Sequence, residues 1–141
     1  MAAVAATAVS CAPTDPEGLR TDPGSYATFE ISLPYTAVYE NENRGFLKCM
    51  TGSYYRMTFA IRPRIQVAQQ SASLVLVHHG AWNDIWAIVD IAGNEKGSVI
   101  HAYTTSDPLM KDFPVVARRW AEGDFTCQEF AITTLEYPLS E

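Results

Sequence analysis

Between Tyr54 and Tyr103 the chain lays down four strand-forming segments in succession, with short loops between them and no room for a crossover helix. Tyr54 to Arg62 alternates most clearly. Tyr55, Met57, Phe59 and Ile61 share one face, and Tyr54, Arg56, Thr58, Ala60 and Arg62 share the other. Pro63 lacks the N–H that a ladder uses, so it marks a bend or a sheet edge, with Arg64 to Ala68 as a continuation. Leu74 to His78 is apolar on both faces, as a central strand is, and Ile85 to Ile91 repeats that pattern. His79 to Asp84 is the turn between them. Gly93 to Gly97 is a hairpin loop, followed by a strand from Ser98 to Tyr103. Parallel strands need crossovers of a dozen or more residues, so these segments form an antiparallel meander.

Two helical patterns flank the strands. Tyr26 to Ile31 is a further strand, with Ala27, Phe29 and Ile31 on one face, and Ser32 can cap the first helix. Pro34 suits a first turn, and Pro34 to Cys49 then places Tyr35, Val38, Tyr39, Phe46 and Met50 at helical spacing. Gly45 weakens this helix by about 1 kcal/mol relative to alanine. For the second helix, Ser106 or Asp107 is the cap, and Leu109, Phe113, Val116 and Trp120 form the stripe. Pro114 either kinks it or separates a short turn from a main helix at about Phe113 to Ala121. Arg118 and Arg119 complement its C-terminal end, and Gly123 is a fitting cap. Glu129 to Thr134 is a weak last strand. Each helix has one apolar stripe, so the predicted fold is α+β: an antiparallel sheet of about five strands with two helices packed on one face. Of the 141 residues 48% are hydrophobic and 18% charged, which is material for one core, placed here in a single domain over 26–141. The element order, with a strand running into a helix through Leu33-Pro34-Tyr35, resembles a compact helix-grip arrangement, as in the START and Bet v 1-like superfamily. That resemblance implies a carrier of a small apolar ligand. In those families a long C-terminal helix covers a cavity, and the short helix here argues against a large one.

The first ten residues are uncharged, small and apolar, without a polar face, and read as a signal-like segment over 1–10. Ala8-Val9-Ser10-Cys11 resembles a bacterial lipobox, which implies a diacylglyceryl anchor on Cys11 and an envelope protein tethered on the periplasmic side. Ala12 after that cysteine resembles an outer-membrane sorting signal in a Gram-negative cell. The stretch 11–25 is rich in Pro, Gly, Asp and Thr and is expected to be a flexible linker.

Three cysteines are awkward in an oxidising compartment. With Cys11 lipidated, Cys49 and Cys127 remain as a pair. Cys49 ends the first helix and Cys127 lies just beyond the second, so a bridge staples two helix ends. Closing a loop of about 80 residues is worth about 4.5 kcal/mol at most. No C-x-x-C occurs, and the histidines do not cluster with cysteines in zinc-ligand spacing.

The chemistry-bearing candidates are few. Net charge is −6, which disfavours nucleic acid as a partner. His78 and His79 are adjacent, so on a strand they face opposite ways; His101 could approach either. With Asp84 or Asp90 one of them could form an acid–base or metal site, the basis for a small hydrolase as one reading. Strand-end histidines bonded to backbone or water are the plainer account. Glu122 and Asp124 are further carboxylates with nothing to bring them together. No catalytic or cofactor motif of the familiar kinds is present, and no metal site, catalytic residue or cofactor is assigned. Tyr54, Trp82, Trp86 and Tyr103 either pack the interface between sheet and helices, which is the plainer account, or do not all fit in the core. An exposed aromatic patch of this kind suits an envelope protein, a peptide or a glycan. The leading expectation is a membrane-tethered lipoprotein whose domain is a binding or structural module.

Overall fold

The computed structural model describes residues 13–50, 52–54, 57–80 and 83–127. In chain order these form α1 (Pro16–Thr21), β1 (Ser25–Ile31), α2 (Tyr35–Cys49), β2 (Gly52–Tyr54), β3 (Met57–Gln66), β4 (Ser71–His79), β5 (Asp84–Asn94), β6 (Gly97–Thr104) and α3 (Phe113–Ala121). The strands make one antiparallel sheet in the order β1-β6-β5-β4-β3-β2. The class is α+β, as the periodicity predicts, with α2 and α3 on one face of the sheet. Glu129 to Thr134 lies outside the described residues.

Those two helices close over the main core. Val38 and Phe46 of α2 and Phe113, Val116 and Trp120 of α3 pack on Phe29, Phe59, Leu74, Leu76, Val89 and Ile100 of the sheet. Centroids of Phe46, Phe113 and Trp120 lie 5.2, 5.5 and 5.9 Å apart, within the range of favourable aromatic pairing. Gly45 has a role beyond weakening a helix. A Cβ there would collide with the Trp120 indole, so the absent side chain is what lets α3 approach. Pro114 divides a short 3-10 turn from α3, and Gly123 ends that helix at a positive φ of 94°. The cap of α2 differs from expectation: Pro34 occupies it without a side-chain bond, and Ser32 is not the cap. Instead, the Ser98 hydroxyl donates to the Leu33 carbonyl at 2.6 Å and fastens the start of α2 to β6.

One strand expectation is corrected. Tyr54 to Arg62 is not one strand. Gly52–Tyr54 forms its own short strand and folds back, pairing Tyr54 with Met57 and Gly52 with Phe59. Periodicity could not show this, because each of the two paired arms alternates on its own. The side chains of Tyr54, Met57 and Thr58 lie outside the described residues, while Phe59 is buried as its parity predicts. Of the two readings of Pro63 the sheet edge holds and the bend does not, and the strand continues past it to Gln66 against β4. Beyond Phe59 no described residue pairs with the outer side of β3, so proline sits where its missing donor is tolerated.

The stretch 11–25 is not a linker throughout. Asp15 caps α1 by accepting from the Gly18 N–H at 2.7 Å, and Pro16 occupies its first turn. Leu19, 1% exposed, then docks on Val75, Val77, Ile85 and Ile88, on the sheet face opposite α2 and α3. Asp-Pro-Glu before a leucine is a helix start that composition alone disguises. Pro13 is held as well, its carbonyl accepting from Ile85 N at 2.7 Å.

Candidate functional site

α1 is only 6 residues long and covers part of its sheet face, the half built from Val75, Val77, Ile85 and Ile88. The uncovered remainder is set by strand register. Directly opposed residues on antiparallel neighbours share a face, so Arg64, Ser73, Asp90, His101 and Thr28 form one row across β3, β4, β5, β6 and β1. The next row is Gln66, Ser71, Ala92, Val99 and Glu30. Small residues thus make a floor between longer polar side chains. The result is a groove of about 360 Å³ lined by Arg20, Arg64, Gln66, Ser71, Ser73, Asp90 and His101 among others.

Arg20 closes one side of this groove. Its Nε and Nη2 donate to the two carboxylate oxygens of Asp90, each at 2.8 Å, with both side chains about a quarter exposed. This two-point geometry is the strong form of the pair. The bond to Asp90 raises the Arg20 pKa further, against the opposing effect of burial. Beyond it, Tyr26 and Tyr103 pair with ring centroids 5.0 Å apart, and the Tyr26 hydroxyl lies 2.6 Å from His101 Nδ1. Burial, then the nearby Asp90 charge, pushes the Tyr103 phenol up. Among the described residues no carboxylate pairs with Arg64, so the groove keeps an uncompensated positive charge.

The three histidines do not converge. His78 faces the helix side, with its ring centroid 5.4 Å from those of both Phe59 and Trp86, and its Nδ1 3.5 Å from Asp84 Oδ1. His79 Nδ1 lies 3.2 Å from Asn83 Oδ1, and His101 belongs to the groove. Among the described residues no cluster of three or more His, Cys, Asp or Glu could hold a metal ion.

The aromatic candidates also separate. Trp86 does not belong to an exposed patch: it is 7% exposed and part of the main core. The cause is a β-bulge. Leu76 pairs with Ala87 and Val77 with Ile85, so Trp86 is the extra residue and turns inward beside Ala87. Its indole N–H donates to Asp84 Oδ2 at 3.1 Å. Tyr103 stays half-buried on the open face, Trp82 lies outside the described residues, and Cys11 does too. Cys49 and Cys127 stand at disulfide distance, Cα to Cα 5.6 Å.

Sequence reasoning missed two kinds of group. Arg20, Arg64, Ser73 and Tyr26 are ordinary surface residues until pairing brings them together. Glu42 is different. It lies on the buried stripe of α2, 0% exposed, and among the described residues neither carboxylate oxygen has a hydrogen-bond partner. Burial therefore raises its pKa well above the ordinary carboxylate value. An acidic residue in register with Val38, Gly45 and Phe46 was the available signal. No family model, curated protein or solved structure matches this chain.

Proposed function

We propose that this chain is an envelope lipoprotein, held to a membrane by a lipid on Cys11, whose domain is a binding module working through the open face of its sheet. The observation that carries the reading is the placement of Cys49 and Cys127 at disulfide distance. Such pairs stay oxidised outside the cytoplasm and are kept reduced within it. A bridge between these two leaves Cys11 as the odd thiol, at the end of the lipobox-like Ala8-Val9-Ser10 run. The helix face supports the choice of surface, because Phe46, Phe113 and Trp120 fill the space beneath α2 and α3. The opposite face keeps its polar rows open. With Pro13 bonded to the start of β5, only a short segment separates the anchor from the folded unit. The domain then sits close against the bilayer, with the β4–β5 end of the sheet nearest to it. No helix among the described residues is long and apolar enough to cross a membrane.

The test is fractionation of cells expressing the chain with its native upstream region. Wild-type protein is expected in washed membranes with a diacylglyceryl mass on its N-terminal peptide, and Cys11→Ser in the soluble fraction. A wild-type protein that is soluble and carries no acyl mass refutes the anchor.

A further inference from the structure

We infer that the groove on the open sheet face binds a small polar carboxylate, with the Arg64 guanidinium as its ion-pair partner. The assignment rests on the binding-module half of the reading above and not on the anchor. Charge comes first. Arg20 and Asp90 neutralise each other through two bonds of 2.8 Å, so neither is available to a ligand without breaking that pair. Arg64 has no such partner among the described residues, and it lies opposite Ser73 in the same cross-strand row. The groove is thus positive on a chain whose net charge is −6. A guanidinium fork matches the two oxygens of a carboxylate.

The remaining donors fit a ligand with polar groups along its length. The Ser71 hydroxyl donates to Gln66 Oε1 at 3.3 Å, which orients that amide and leaves its NH₂ group for a ligand. His101 Nδ1 is taken by Tyr26, and its Nε2 has no partner among the described residues. Arg64 and His101 stand three strands apart, about 14 Å across the sheet at the usual strand spacing. A volume near 360 Å³ is at the small end for ligand sites, the scale of a sugar acid. Because the groove is open on one side, affinity should be weak, with a Kd of about 1 mM.

The experiment titrates the ¹⁵N-labelled full chain carrying Cys11→Ser with sodium D-glucuronate, D-glucose or inorganic phosphate at constant ionic strength, followed by amide shifts. Glucuronate is expected to give saturable shifts at Arg64, Gln66, Ser71, Ser73 and His101, whereas glucose gives none. Arg64→Gln, at an exposed edge position, should keep the dispersed spectrum and weaken glucuronate at least tenfold. The inference is overturned if glucuronate gives no saturable shift or acts outside the groove. Equal affinity in Arg64→Gln overturns it too, as does phosphate saturating the groove where glucuronate does not. An unlipidated protein would fail the fractionation test and still take this titration, so the two failures are distinguishable.

Discussion

Replacing Glu42 with glutamine removes an ionisable proton from the core while keeping the side chain's shape. In the folded protein the carboxyl is wholly buried and has no partner among the described residues, so it stays protonated well above its ordinary pKa of 4.5. The unfolded chain ionises near that ordinary value. The folded state therefore holds the extra proton, and stability falls as pH rises through the window between the two pKa values. Below the ordinary value both states are protonated and the penalty vanishes. Within that window the slope is about 1.4 kcal/mol per pH unit. Glu42→Gln cannot ionise and escapes this term. The assay is urea unfolding of both proteins, followed by tryptophan fluorescence, from pH 4 to 7. At pH 4 the two midpoints should nearly coincide, since either neutral side chain leaves its polar atoms unsatisfied. By pH 7 the glutamine variant should be the more stable of the two, with an unchanged m-value. A stability difference that stays flat across this range refutes the reasoning. A variant less stable at neutral pH also does so, because it means the carboxylate is ionised and paired when folded.

The packing sets three further outcomes. Gly45→Ala should destabilise the fold by about 1–3 kcal/mol despite alanine's better helix propensity, because its Cβ would collide with the Trp120 indole; a gain in melting temperature would count against that contact. Phe59→Ala should lose about 3–5 kcal/mol, since the ring is 2% exposed and packs edge-on to Trp86 at 5.4 Å; urea unfolding that shows almost no loss would place Phe59 on the wrong face. In exported protein, peptide mass mapping without reduction should recover Cys49 joined to Cys127, and changing both to alanine should cost about 2–4 kcal/mol. Free thiols at both positions would remove the bridge and the main support for the compartment.

Local periodicity was enough for the main strands, for α2 and α3 and for the sheet face they share, but not for α1 or β2. Alternation at Phe59 and Ile61 marks the buried side of β3, and the spacing of Phe113, Val116 and Trp120 bounds α3, because side-chain direction repeats every 2 residues in a strand and every 3.6 in a helix. Charge, cysteine count and the Ala8–Cys11 run likewise needed no structure to be noticed. Tertiary structure decided what depends on register. The turn inside Tyr54 to Arg62 and the bulge at Trp86 each change how residues are paired, and parity along the chain cannot reveal such a change. The Arg20–Asp90 pair spans 70 residues, and Gly45 meets a tryptophan from a different helix. The row of Arg64, Ser73, Asp90 and His101 exists only because four strands pair in one register. Each of those residues alone looks like solvated surface, since a site assembled across a sheet leaves no trace in the local pattern of any single strand.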